Sequence, residues 1–524
     1  MLMIRVRQVK VLYNETNNLK NKIAKKLKVK TSDIIDYKIV KESIDARKKD
    51  TIYLVYEVDV KLINESIINK LNDFDVFASP IEEYDFKPIG TKELNNRIVV
   101  VGSGPAGLFC SYMLALYGYK PLIIERGSDI DKRDKDVNNF FEKGILDEES
   151  NIQFGLGGAG AYSDGKLNTM VKDKFYRGKK AFEIFIACGA PEEILYKSKP
   201  HIGTDLLKPI IKNMRDKIIS MGGTFLLDTK LSDIHIENNQ IKEIVVNDKD
   251  IIKTDVLVLA IGHSARDTFK MLNKYLKMEA KAFAVGLRIQ HPQKLIDEAL
   301  YGKSIKELGP SSYKLTHTTK DNRGVYTFCM CPGGYVINAS SEKGYLAING
   351  MSNHNRDTIN ANSAVIVTVT PKDFGNNPMD GINYQKELEK KTYDLANGKI
   401  PLQLYNDFKN NIKSNSFGSI KPIIKGNYEL SNINSILPDY LTNSLIEGID
   451  AMNNKINGFS SNDAILAAIE SRTSSPIRII RDTQYEANIK GIYPAGEGAG
   501  YAGGITSSAI DGIKIAEAIM NKYK

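Results

Sequence analysis

The chain has 524 residues and a formal charge of +9, from 72 Lys or Arg against 63 Asp or Glu, with four cysteines. That length calls for two or three domains, the interleaved charges contain no like-charge block and argue against a nucleic-acid tail, and so few cysteines argue against a disulfide framework. No apolar run approaches the ~20 residues of a membrane span, and the opening MLMIRVRQVK lacks the core of a secretory signal, so a cytoplasmic protein with no membrane partner is expected.

Residues 1–90 read as a separate β-α-β-β-α unit: strand 4–13, helix 17–27, a hairpin of strands 37–43 and 51–60, and helix 65–71. The pattern predicts a small ferredoxin-like α+β domain. Tyr53 and Tyr56 lie three apart on one strand and so face opposite ways. That argues against an RNA-stacking sheet and for a docking or oligomerisation role. Residues 80–91 form the linker.

The first part of a nucleotide-binding domain spans 91–280. Its centre is RIVVVGSGPAGLFCSYMLALYGYKPLIIERG, from Arg97 to Gly127. Apolar residues 98–101 are a strand buried on both faces. Gly102, Gly104 and Gly107 follow in G-x-G-x-x-G spacing, with Pro105 and Ala106 opening a helix. The first glycine makes the turn, the second admits a pyrophosphate, and the third lets the helix lie close to the strand. The helix N-terminus attracts the phosphates. A second apolar strand, 121–124, ends in Glu125, placed to accept hydrogen bonds from ribose hydroxyls. Arg126 and Arg133 are candidates to neutralise phosphate, with exposed surface as the alternative for each.

Residues 151–168, NIQFGLGGAGAYSDGKLN, repeat the glycine spacing at Gly155, Gly157 and Gly160 but lack a preceding strand and a following long helix. A second dinucleotide site is rejected. Gly157, Gly158, Ala159 and Ser163 are read instead as backbone lying against a flat or anionic group. Helix 204–220 leads to a third parallel strand, 224–227, then a three-stranded meander at 231–236, 240–246 and 249–253. Strand 256–260 ends at Gly262, where the chain passes close to the cofactor.

Residues 281–475 break this rhythm and read as an inserted α+β substrate domain, with strands 283–289, 324–328, 334–339, 345–350 and 364–370 and helices 384–396 and 461–471. The first fold returns at 476–524, with strand 491–495, a glycine-rich turn carrying Gly496, Glu497, Gly503 and Gly504, and a helix from Ile505 to 522.

A dinucleotide fold split by an insertion and closed by a G-E-G turn and helix resembles the glutathione-reductase-like FAD fold, and the Gly496 turn resembles its second FAD motif. The resemblance implies that Glu497 bonds the ribityl chain and that the helix N-terminus faces the flavin pyrimidine. Phrases such as VVVGSGPAGLF, SNIQFGLGGAGAYSDGKLNT, AIGHSARDTF, GVYTFCMCPGGYVINASSE, SRTSSPIRI and YPAGEGAGYAGGI resemble a bacterial FAD-dependent dehydrogenase family of uncharacterised NAD/FAD-utilising proteins, from about residue 95 to the end.

Catalytic candidates lie in the insertion and in S-D-G-K. Cys329 and Cys331 suit a redox dithiol, a nucleophile, a pair of metal ligands or plain core, since alternate strand residues share a face. His317 and His354 are proton donors by type, with structural roles as the alternative. His201 and His263 flank turns and are placed to touch cofactor. Lys166 is suited to polarise the flavin or hold an anion. Arg323 and Arg472 are suited to clamp a carboxylate, Arg472 being preferred.

The reading is a single-FAD oxidoreductase that moves a hydride between flavin and a small-molecule substrate, with NAD(P)H as a transient reductant or a protein as electron partner. The rivals are a flavoprotein that modifies RNA, its N-terminal domain aiding RNA or partner binding, and a flavin-bound protein without turnover.

Overall fold

The computed structural model describes residues 3–65 and 71–524. Strands Ile4–Leu12, Ile34–Asp45, Tyr53–Leu62 and Val76–Ala78 form an antiparallel sheet in the order second, third, first, fourth. This is the ferredoxin-like arrangement. Helix Leu19–Leu27 covers one face through Leu19, Ile23 and Leu27. Tyr56 is buried in that face. The helix expected at 65–71 falls almost wholly outside the described residues.

The linker runs along the C-terminal helix. Tyr84 Oη donates to the Glu517 carboxylate at 3.0 Å, Tyr117 Oη donates to the Phe86 carbonyl at 2.9 Å, and Gly90 N–H donates to the Met520 carbonyl at 3.0 Å.

The nucleotide-binding domain is a five-stranded parallel sheet ordered Ile492–Pro494, Val256–Leu259, Ile98–Val101, Leu122–Ile124, Thr224–Leu226. Alternate residues of its strands feed two cores. Ile98, Val100, Val256 and Val258 join the helices Pro105–Leu116, Thr204–Ser220 and Ile505–Lys522. Val99, Val101, Leu257 and Leu259 meet the meander Leu231–Glu237, Gln240–Val246, Asp250–Lys253. Burial on both faces is why these strands read as unbroken apolar runs. The charged stretch after Glu125 is a helix, Ile130–Lys143. Asp129 accepts from the Ile130 N–H at its start, and Gly144 ends it with φ of +73°.

The insertion is built on a seven-stranded sheet ordered Thr316–Thr318, Gly324–Cys331, Asn360–Val369, Phe283–Pro292, Ile465–Glu470, Ile400–Leu404, Tyr428–Leu430. One expectation fails here. Residues 461–471, expected as a helix, contain the strand Ile465–Glu470, every residue of which is buried. An apolar run of ILAAIE fits a buried strand or a buried helix turn equally, and pairing with Phe283–Pro292 and Ile400–Leu404 decides it.

Candidate functional site

The first glycine turn has the geometry its spacing demands. Gly102 has φ of +95°, and a Cβ there would lie 2.3 Å from the Ala260 carbonyl oxygen. A Cβ on Gly107 would lie 1.9 Å from the Gly102 carbonyl oxygen, so only glycine lets the helix sit this close. Gly104 differs. Its nearest neighbour, Gly158 Cα, is 3.9 Å from the position of a Cβ, and it fronts open space. No side chain caps the helix that begins there, which leaves its first N–H groups available to an anion.

Glu125 ties three segments together. Its Oε2 accepts from Ser103 N at 2.9 Å and Ser103 Oγ at 2.8 Å, and its Oε1 from Gly127 N at 3.0 Å and Gly155 N at 2.9 Å. These donors fill the carboxylate's lone-pair sites. A ribose hydroxyl would bond Glu125 only by displacing one of these donors, the Ser103 hydroxyl being the one free to turn away.

Arg133 is a correction. It is fully buried and donates to the carbonyls of Asn151, Ile152, Gly155, Leu156 and Gly158 at 2.8–3.2 Å. It braces the second glycine loop from behind and has no donor left for phosphate. Burial pulls its guanidinium below the ordinary arginine value. The loop so held runs between the two motifs. Gly158 packs against Gly104, and Gly160 faces the Ile505 side chain.

At the second turn, Gly496 donates to Asp511 Oδ2 at 2.7 Å. His263 Nδ1 stands 3.1 Å from Glu497 Oε1, yet both ring nitrogens are buried without an aligned hydrogen bond. Helix Ile505–Lys522 has no side-chain N-cap, since Gly504 fills that position.

These pieces open onto one cleft of about 370 Å³. Gly102, Gly104, Pro105, Ala106, Glu125, Arg126, Gly158, Ala159, Ser163, Gly262, Glu497, Gly503, Gly504 and Ile505 line it. Four expected cofactor residues lie outside its wall. Gly107 and Gly496 make close backbone packing possible, Gly157 packs on Ile211, and Arg133 braces the loop. Arg126 reaches the cleft but is engaged by Asp267 and Glu149 and lies over the Phe154 ring.

Of the catalytic candidates, Lys166, Cys329 and Arg472 line the cleft. Lys166 Nζ is buried without a hydrogen bond, 3.6 Å from Asp164 Oδ2. Against the upward push of burial, the charges of Lys166 and Arg356 hold Asp164 below the usual carboxylate range. Arg472 is held by Glu389, Ser264 and Ser341. Those bonds fix it in the wall and use most of the donors expected to clamp a carboxylate.

The others are corrections. His317 Nε2 is hydrogen-bonded to Glu447 Oε1 at 3.0 Å on the edge strand of the insertion, away from the cleft. His354 stacks on His201 and binds the Ile202 carbonyl through Nδ1 at 2.8 Å. Arg323 pairs with Asp373. Cys331 is buried behind the wall, because a bulge after Phe328 breaks the alternation that would have put both thiols on one face. Sequence reasoning also missed Gln153, Asn349 and Glu470, all in the cleft wall. Gln153 heads the glycine loop already singled out, whereas Asn349 and Glu470 stand on strands with no local motif, and only long-range pairing brings those two in. Among the described residues, no group of three His, Cys, Asp or Glu side chains is placed to hold a metal ion.

The site fits FAD. It offers a glycine turn with open space at Gly104, two uncapped helix N-termini, and buried polar atoms at Lys166 and His263 that make no hydrogen bond within the protein. A parallel sheet carrying both turns, with a largely antiparallel insertion closing over one cleft, defines the Rossmann-like FAD-binding class.

Residues 282–473 match the family described as "FAD-dependent protein, C-terminal domain-like", and residues 3–61 match a domain of unknown function. An uncharacterised protein of Clostridium beijerinckii is 46% identical over 530 residues, covering 99% of each chain. The chain belongs to this family of FAD-dependent proteins. Among solved structures, glycine oxidase from Bacillus cereus is 11% identical with a TM-score of 0.35, covering 81% of this chain and 95% of its own. L-amino acid deaminase from Proteus vulgaris is 13% identical with a TM-score of 0.36, covering 84% and 97%. No helix among the described residues is long and apolar enough to cross a membrane.

Proposed function

We propose that the protein transfers a hydride between FAD and a small-molecule substrate, with a nicotinamide or a protein as the transient electron partner. The observation that carries this reading is the shared cleft: the Gly104 turn, the Gly504 helix end, Lys166 and Cys329 all face it.

Bound FAD supplies the hydride-accepting and hydride-donating ring. The chain supplies the rest. The uncapped N–H groups at the start of the helix after Gly104 would hold the pyrophosphate. The uncapped N-terminus of Ile505–Lys522, which opens on the cleft, would favour negative charge on a bound flavin. Lys166, free of hydrogen bonds, is available to orient an anionic substrate or the ring edge. His263, beside Glu497, is available to take or give a proton. The insertion lends the cleft the apolar side chains of Phe328, Ala347 and Ile348, which disfavour water beside a bound ring. A cytoplasmic location belongs to the same reading, supported by four unpaired cysteines.

The test is anaerobic bleaching of the purified yellow protein by NADH and by NADPH, followed by a screen of metabolites for reoxidation. Reduction by a hydride donor and recovery by one substrate class supports the reading. Protein that carries no flavin and takes none up overturns it.

A further inference from the structure

We propose that Cys329 and Cys331 form a second redox centre, a dithiol/disulfide couple that exchanges an electron pair with the flavin in the cleft. The inference rests on the FAD reading above and adds a second electron store to it.

The local backbone is built to present one thiol and hide the other. Strand Gly324–Cys331 pairs in register with Asn360–Val369 up to Phe328 opposite Ala364, then slips so that Cys331 faces Asn362. In the slip Cys329 takes φ of +43°, an uncommon conformation for a residue with a side chain. Such bulges re-aim side chains, and here Cys329 joins the cleft wall while Cys331 stays in the core. Arg288 holds the distortion. It is fully buried, bridges the Glu470 carboxylate at 2.9 and 3.0 Å, and donates to the Cys329 carbonyl at 3.1 Å.

Cys331 Sγ donates to the Cys329 carbonyl oxygen at 3.3 Å, two residues along the same bulged strand end, which keeps the two side chains side by side. The Cys331 side chain holds Cys329 below the ordinary thiol range against its burial, helped by the charges of Lys166 and Arg288. The same pairing pushes Cys331 up. The pair is thus one thiolate and one thiol, the state from which disulfides form. The other two cysteines, Cys110 and Cys188, are pushed up by burial and stand outside the cleft.

The step balances within the holoenzyme. The Cys329 thiolate and the Cys331 thiol form one S–S bond, the Cys331 S–H bond breaks, and two electrons and that proton pass to oxidised flavin. In reverse, reduced flavin breaks the S–S bond and returns thiolate and thiol. Lys166, in the same wall and without a hydrogen bond, adds its charge in favour of the thiolate.

The test is an anaerobic reductive titration of holoenzyme, scaled to flavin released on denaturation, beside alkylation of thiols before and after reduction read by mass spectrometry. Wild type is expected to consume twice the reducing equivalents of C329S and of C331A, and to gain two alkylatable thiols on reduction, at Cys329 and Cys331. Uptake equal to the flavin content alone, with both thiols already alkylated in the air-oxidised protein, overturns the couple and leaves the FAD reading standing. Absence of flavin overturns both. The wild-type measurement decides even if C331A does not fold.

Discussion

A methyl group added to Gly496 would stand 2.6 Å from Cβ of Ala106, so the two glycine turns, far apart in sequence, meet in van der Waals contact. The contact is tightened by Gly512, where a Cβ would lie 2.2 Å from the Ala106 carbonyl oxygen. Gly496 also has φ of +72°. Replacing it with alanine adds left-handed strain of about 1–3 kcal/mol to the overlap with Ala106. Gly496→Ala is expected to lower the melting temperature and the flavin content of purified protein together. Gly504→Ala provides the contrast. Its backbone is extended and its nearest neighbour is 3.9 Å away, so melting of the apoprotein should not move while flavin affinity falls. Equal melting temperatures for wild-type and Gly496→Ala apoprotein would refute the packing argument.

Arg133 makes a different prediction from a phosphate ligand. It satisfies five carbonyls, so Arg133→Met leaves buried acceptors unpaired at about 1–3 kcal/mol each, less whatever the loop recovers by moving. The variant should be destabilised even without cofactor, and Arg133→Lys should not rescue it, because one ammonium cannot match a planar fork spread over the loop. A phosphate ligand would instead show normal apoprotein stability with weakened FAD binding. Thermal melts of apoprotein and holoprotein separate the two.

What could be read in the sequence was whatever local geometry dictates. The glycine spacing from Gly102 to Gly107, the apolar strands 98–101 and 256–260, and the helix from Ile505 each need only neighbours a few residues away. The helix Ile130–Lys143 was also legible, from Asp129 and Gly144 at its ends, but its charge disguised it. The remainder depends on pairing at a distance. Strand Ile465–Glu470 is a strand because two others flank it. Cys329 reaches the cleft and Cys331 does not because of a bulge that no composition rule announces. Arg133 looks like a surface cation until residues 151–158 are folded around it.

Glu389 is buried between two arginines. Arg266 donates to it at 2.7 and 2.8 Å and Arg472 at 2.9 and 3.0 Å, with Ser471 Oγ at 2.6 Å. Against the large upward push of burial, the two guanidinium charges hold its carboxyl well below the usual range. Glu389→Gln keeps the shape and removes the charge, leaving Arg266 and Arg472 to share the carboxylate of Glu342, which Arg266 binds at 2.8 Å and Arg472 approaches at 3.8 Å. Breaking a buried pair this way costs about 3–5 kcal/mol. Arg472 lines the cleft, so weakened flavin binding should accompany the fall in stability measured by urea unfolding. A variant as stable as wild type would show that the arginines do not depend on this carboxylate.

Acid sensitivity should come from two histidines. His291 is fully buried with Nε2 donating to the Phe459 carbonyl at 2.7 Å and Nδ1 facing no acceptor. Burial lowers it from 6.5 to about 4. His201, stacked on His354, is lowered to about 4 by burial and then by the Arg356 charge. Above pH 6.5 both rings are neutral in the folded and the unfolded chain, and neither makes stability depend on pH. As pH falls from 6.5 to 4 the unfolded chain takes up protons that the folded chain refuses, so stability is lost across that window and the loss levels off below 4. Each ring contributes up to about 3 kcal/mol. His291→Gln, which keeps a donor for Phe459 but cannot charge, should remove about half of the decline in unfolding free energy between pH 6.5 and 4. An unchanged slope would place the acid-sensitive groups elsewhere.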